Sequence, residues 1–444
     1  MSCPLGTTLA DHNRPMPDPQ RPAASPHGTA SIDAPGMRHA GRELLSLALI
    51  DARNHTLHLL SLFEQALHSP ELDLPAPVPP GLPSPRWLAG HIGWFAEAWI
   101  ARNTQRALGV ACPARPTRLA AVDSGADATW DPQVCPPSER AGPGVPGMAT
   151  TRAYLLETLE GTLELLDRAA ETDAGLYFYR LALFHEDWRG EQLVQMAQAL
   201  GLPIGAGLPP PGAPRAPLAV PATRWTLGAG EAEGFHLAQE TGALALDVPE
   251  FEIDAQPVTW QQFCEFVDDG GYDRPEWWSS EGWAWVQASG RRAPRHVEQI
   301  GLGHGAGAGG SVLLRRFGAT VRAAGPHPAM HLSWWEADAW ARWAGRRLAT
   351  EVEWEIAACS AARRGFRWGE VQEWTAGTLR PWPGQQADPW SAGTEFDPAP
   401  AWSRARVLRG ASFAARSRMR SPRWRGFAAP GWDAGFLGFR TCAP

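Results

Sequence analysis

A chain of 444 residues has room for two or three domains, and 44% hydrophobic residues with 23 tryptophans can fill large cores. A formal charge of −7 lacks the basic footprint of a nucleic-acid-binding protein, and no apolar run is long enough for a membrane span. The six cysteines (Cys3, Cys112, Cys135, Cys264, Cys359, Cys442) are scattered without a CxxC pair, and the N-terminus has no charged-then-apolar signal pattern. Reduced thiols and a cytoplasmic location are therefore expected.

Residues 1–40, rich in Pro, Ala, Ser and His, read as a disordered tail whose histidines (His12, His27, His39) are too loosely placed to be ligands. Over 41–67, Leu45, Leu49, Ala52, Thr56, Leu59 and Phe63 recur at helical steps and form a buried stripe, with His55 at its edge and His58 further out. A Pro-rich connection leads to a second predicted helix over 86–108, where Trp87, His91, Trp94 or Phe95, and Ala98 share a face. Taken alone, His91 reads first as a satisfied core histidine and only second as a ligand. Residues 111–149 are Pro/Gly-rich and predict a long surface excursion.

A third helix is predicted over 150–170, on a stripe of Leu155, Leu156, Leu159, Leu163 and Leu166. A fourth, over 174–200, ends at Gly201-Leu-Pro203. Tyr177, Leu181, Phe184, Trp188 and Gln192 set its period, and between positions 185 and 191 it gathers His185, Glu186, Asp187, Arg189 and Glu191. Four amphipathic helices with long middle connections predict a bundle over 41–204. Two imidazoles on two of its helices, His91 and His185, would make most of a metal site.

Residues 205–221 form a Pro/Gly/Ala linker, the clearest domain boundary. Over 222–444, short apolar runs broken by Gly and Pro predict an irregular α+β domain, with helices near 259–267, 334–344 and 351–361. The Gly/Ala stretch 301–310 reads as a flexible loop; without a following Lys-Ser/Thr or a strand–helix frame it is no phosphate cradle.

The second half also carries specific marks. They are Phe251-Glu-Ile-Asp-Ala-Gln-Pro-Val-Thr259, Gly270-Gly-Tyr-Asp-Arg-Pro-Glu-Trp277 with Gly282-Trp-Ala-Trp285, and the run from Pro328-Ala-Met-His331-Leu-Ser-Trp through Gly345-Arg-Arg-Leu-Ala-Thr-Glu351. Glu373-Trp-Thr, Val407-Leu-Arg-Gly-Ala-Ser412-Phe and the closing Phe436-Leu-Gly-Phe-Arg440-Thr-Cys complete them. Together they resemble the formylglycine-generating-enzyme-like domain of C-type-lectin fold, in the branch that carries ergothioneine sulfoxide synthases. There the N-terminal half is a DinB-like four-helix bundle, matched here at Ile50-Asp-Ala-Arg-Asn-His-Thr56, Ser84-Pro-Arg-Trp-Leu-Ala-Gly-His91 and Leu183-Phe-His185-Glu-Asp. The resemblance spans 41–444, is weakest at 111–149 and 301–325, and implies an α+β multidomain chain. Within the family, the Leu-Phe-His-Glu-Asp segment and the Thr-Cys ending are most similar to members that form selenoneine.

The resemblance implies a mononuclear non-haem Fe(II), O2 as co-substrate, and a bond between the imidazole C2 of hercynine (Nα-trimethylhistidine) and a selenosugar, giving a selenoxide. With a thiol in place of the selenosugar, the ergothioneine-type product is a sulfoxide. Of the family's three ligand histidines, the first maps to His91 and the second to His185, while the third place holds Arg189, which has no lone pair to give. The motif's glutamate maps to Glu191, roughly 240° round the helix from His185 and a poor ligand without distortion. Several accounts stay open. Two histidines suffice with substrate and water; an acid (Asp187, Glu191 or Glu97) or His55 steps in; Arg189 holds a substrate carboxylate or sugar oxygen; or the metal is lost and a binding protein remains.

The family's active-site tyrosine after Glu373-Trp-Thr falls at Leu379, which donates no proton, and the next aromatic is Trp382. For hercynine's quaternary ammonium, the loop from Pro422 to Trp432 offers Phe427, with Trp382 as its partner in an aromatic cage and Gly426 where the family has asparagine. Trp188 and Arg425 complete the expected substrate contacts. The alternating Arg416, Arg418, Arg420, Arg423 and Arg425 either bind an anion or pair with nearby acids. Cys359 and Cys442 do not reproduce the cysteine pair of the formylglycine-generating enzymes.

Overall fold

The computed structural model describes residues 31–74, 84–242, 244–302, 310–385 and 387–444. Most of the stretch read as a tail (residues 1–30) and the body of the Gly/Ala loop (303–309) lie outside these residues. From Ser31 the chain is already part of the fold. Pro35–His39 forms a 3-10 turn that buries Met37, and Arg38 donates to both carboxylate oxygens of Glu240 at 3.1 and 3.2 Å.

The bundle is built from α1 (Arg42–Leu67), α2 (Pro85–Ala96), the short α3 (Ala126–Trp130), α4 (Met148–Asp167) and α5 (Asp173–Leu200). Its ends follow local chemistry. Ser84 and Thr172 accept from Trp87 N and Gly175 N as N-caps, and Gly201 closes α5 in the left-handed region at φ 68°. Leu45, Leu49, Ala52, Thr56, Leu59 and Phe63 are all buried, as the period of α1 requires. The second helix is shorter than expected. After Ala96 it widens into a π turn, Glu97–Ala101, and Gly109, at φ 57°, breaks any continuation. The 111–149 excursion is anchored as well as surface-lying, since Cys112, Ala126, Trp130, Cys135 and Val145 enter the bundle core.

The C-terminal half comprises β1 (Leu218–Val220), β2 (Thr223–Leu227), β3 (Leu244–Val248), β4 (Phe251–Ile253), α6 (Trp260–Asp268), α7 (Ser280–Ser289), β5 (Val297–Leu302), β6 (Gly310–Arg316) and β7 (Ala319–Ala323). It continues through α8 (Trp334–Trp343), β8 (Arg347–Leu348), α9 (Glu351–Ser360), β9 (Gln372–Thr378), β10 (Arg406–Arg409), β11 (Arg425–Ala428), β12 (Leu437–Phe439) and β13 (Thr441–Cys442). Short sheets run β1-β4-β13-β8, β11-β10-β9-β12, β2-β3 and β5-β6-β7. Helices α6, α8 and α9 each open with a capping box (Thr259/Gln262, Ser333/Glu336, Thr350/Glu353). The expected α+β two-domain architecture is therefore present. No helix of the described residues is long and apolar enough to cross a membrane.

The two halves share a polar seam. Arg418, fully buried, forks onto Asp187 at 2.6 and 2.8 Å and reaches Asp51 at 2.8 Å. Arg416 joins Asp51, and Gln198 accepts from Phe317 N and donates to Arg315 O. These contacts fix the last helix of the bundle against the C-terminal domain.

Candidate functional site

His91 on α2 and His185 on α5 are both 1% exposed, with ring centroids 5.2 Å apart. The local sequence dictates their poses. His91 lies between Trp87 and Trp94 on its own helix face, with centroids at 5.0 and 5.6 Å, and His185 stacks on Phe95. The Nδ1 of His91 lies 2.9 Å from Trp130 O, and a carbonyl only accepts, so Nδ1 carries the proton and Nε2 is left with its lone pair. That lone pair accepts from Arg189 Nη2 at 3.0 Å, and His185 Nε2 accepts from Arg189 Nε at 3.2 Å. One guanidinium thus satisfies both imidazoles. Its remaining nitrogen donates to Gln192 Oε1 at 2.9 Å and pairs with Glu395, which arrives on a loop of the C-terminal domain.

The electrostatics follow. Burial, and then the Arg189 charge, push His91 down to about 3 and His185 well below its ordinary value, so both rings are neutral. Burial opposes the charge of Glu395, but Arg189 outweighs it and holds the carboxyl at about 2. A cavity of about 290 Å³ opens over this cluster. Trp94, Phe95, Trp99, Trp390 and Phe396 wall it, and Arg115, Arg118 and Asp131 line it as well.

Of the residues singled out from sequence, His91, His185 and Arg189 come together here. Trp188 stands behind the wall, stacked on Phe396 at 4.8 Å. Glu191 does not join them: on the far side of α5 it accepts from Ser412 Oγ at 2.5 Å. The other acids are engaged elsewhere. Asp187 pairs with Arg418, and Glu97 accepts from Val122 N and the Tyr154 hydroxyl. His55 borders a separate cavity with His58 and Arg416. Among the described residues no group of three or more His, Cys, Asp or Glu has the arrangement of a metal site.

The expected aromatic cage does not form around this cavity. Trp382 covers Gly228 and Gly242 beneath the Arg425 guanidinium, 4.3 Å from the ring centroid, and Arg425 is tied to Glu351 at 2.8 Å and to Arg380 O at 3.0 Å. Leu379 is fully buried in a small cluster with Ala405 and Val407, on which Phe427 packs. These side chains serve the domain's own core, and the alternating arginines mostly resolve into ion pairs with acids.

The C-terminal domain instead delivers Trp390, Glu395 and Phe396, and the excursion delivers Trp130. None of these has a periodic signal; the aromatic–acid clustering of Trp390 to Phe396 is a local signal for that loop, and Trp130 has none. Trp130 matters sterically as well. A Cβ at Gly90 would lie 2.4 Å from its ring. Gly90→Ala is therefore expected to push Trp130 away, free His91 Nδ1 and cost about 1–3 kcal/mol by overpacking. A urea-unfolding midpoint equal to wild type would refute this.

The sulfatase-modifying factor enzyme 1-like domain matches residues 214–370, and the DinB superfamily matches residues 48–198. A hercynine oxygenase of Mycolicibacterium smegmatis is 30% identical over 447 residues, covering 88% of this chain and 96% of that protein. Its counterpart in Mycolicibacterium thermoresistibile is 29% identical, covering 88% and 92%. A formylglycine-generating enzyme of Streptomyces coelicolor is 35% identical over 190 residues, but this covers only 39% of the chain and 58% of that enzyme. Similarity that runs through both domains separates the first two from the third, and it places the chain in the hercynine oxygenase family.

Proposed function

We propose that the chain binds hercynine in the cavity over His91, His185 and Arg189 and joins a selenosugar to its imidazole C2 in an O2-dependent reaction. A thiol in the selenosugar's place is the ergothioneine-type alternative. One observation carries the substrate class: aromatic faces and guanidinium groups share one small cavity. Aromatic faces hold a trimethylammonium group, and guanidinium forks hold a carboxylate. Trp94, Trp99, Trp390 and Phe396 supply the first, and Arg115 and Arg118 supply the second. The relatives named hercynine oxygenase support the imidazole substrate, and the motif resemblance supports the selenosugar. Among the described residues the cysteines are unpaired, which suits a reducing cytoplasm.

Iron(II), the group implied by the resemblance, would supply O2 activation. The donors as placed do not fit it, because two imidazole lone pairs converge and both are taken by Arg189, which is itself a cation without a lone pair. The protein's own contributions are neutral imidazoles, a fixed positive charge for an anionic part of the substrate, and aromatic walls that exclude water. The occupancy of both lone pairs favours a second reading, a metal-free protein that binds hercynine without turnover.

Calorimetry with hercynine separates these outcomes from failure. Wild type is expected to bind, and the Trp390→Ala, Phe396→Ala double variant to bind about tenfold more weakly. Incubation with iron(II), O2, hercynine and a selenosugar should then yield the coupled product by mass spectrometry. Binding without product leaves the second reading, and no binding sinks both.

A further inference from the structure

We infer that Arg189 is a built-in competitor for the cation position between His91 and His185. Neutral imidazoles are metal ligands only through a free lone pair. Here both lone pairs point at one guanidinium, at 3.0 and 3.2 Å, and the arginine is 4% exposed. A cation arriving at the pair must first break these two bonds and then meet a positive charge at close range.

The guanidinium also has an outward berth already made. Glu395 and Gln192 hold its third nitrogen on the side away from the imidazoles. A turn of the fork toward them releases the histidines without stranding a buried charge. Affinity of the pair for a metal is thus set by residue 189, and through Glu395 by a loop of the other domain. The inference rests on reading this pair as the centre of the proposed site, but it does not depend on what substrate the cavity takes.

The test is a Co2+ titration of the full chain, with metal content read by atomic spectroscopy and the visible Co2+ bands reporting nitrogen ligation. Arg189→Ala is expected to bind one Co2+ about tenfold or more tightly than wild type. Arg189→Met, which keeps the stem but not the fork, should behave alike. Arg189→His sets a third imidazole four residues from His185 on the same helix face and should bind tightest. Adding His91→Ala to any of them should abolish the bands. Equal affinity in wild type and Arg189→Met would overturn the inference. So would absence of binding in all three variants with near-ultraviolet circular dichroism like wild type. Hercynine calorimetry on metal-free wild type, run alongside, tests the substrate reading separately.

Discussion

Arg440→Ala is expected to destabilise the C-terminal domain by about 3–5 kcal/mol, the usual effect of breaking one side of a buried ion pair. Arg440 and Glu373 are both fully buried, joined by two bonds at 2.5 and 2.8 Å. Arg440 also donates to Asp254 O at 2.9 Å and Arg367 O at 2.6 Å, and Glu373 accepts from Trp354 Nε1 at 3.0 Å. Alanine leaves a fully buried carboxylate without its ion-pair partner and two part-buried carbonyls without their donor. The check is the urea midpoint at unchanged m-value, and a loss below about 1 kcal/mol would count against the argument. Adding Glu373→Gln should recover part of the loss, because the orphaned charge is removed with its partner.

Acid is expected to weaken the same domain through a second histidine pair. His296 and His331 lie with ring centroids 4.7 Å apart, both in left-handed backbone, at φ 67° and 62°. Burial, followed by Arg295 and Arg291, lowers His296 to about 4; burial, followed by His296, drives His331 well below its ordinary value. Both are neutral in the fold, whereas in the unfolded chain they titrate near 6.5. Below that pH the unfolded state binds more protons, so stability present above about 6.5 is lost as the pH falls toward 4. His296 alone accounts for on the order of 2 kcal/mol at pH 4.5, and His331 acts in the same direction. Unfolding of wild type and of the His296→Asn, His331→Asn variant from pH 7.5 to 4.5 tests this, asparagine being tolerant of left-handed backbone. The variant should lose less stability on acidification, and parallel curves would refute the prediction.

The bundle was legible in the sequence because helical burial repeats. Leu45 to Phe63 and Tyr177 to Gln192 announce which faces turn inward, and His91 and His185 follow from those faces. Arg189 was equally visible as the residue one turn beyond His185. What it does was not, because a guanidinium bridging two rings depends on where α2 stands beside α5. In the second half, the longer helical patterns near 259–267, 334–344 and 351–361 correspond to α6, α8 and α9. The sheets were hidden, since strands of two to seven residues paired across long separations leave little local pattern. Misplacing the aromatic cage has the same origin. Trp382 and Phe427 lie in suggestive motifs, but the loop that reaches this cavity is the one carrying Trp390, Glu395 and Phe396, and its Pro/Gly-rich flanks give no periodicity to read.

The position of β13 has a consequence for biosynthesis. It sits between β4 and β8, and β12 edges β9 in parallel, so two sheets wait for residues 437–442. As the chain leaves the ribosome, the bundle can assemble from neighbouring helices while some 200 residues of the later domain are still without their closing strands. During that interval, the edges of β4, β8 and β9 are open to the wrong partners. Chaperone demand in an expression host should therefore track the C-terminal half, and premature termination just before Phe436 should send the product to aggregates rather than to a soluble, shortened enzyme.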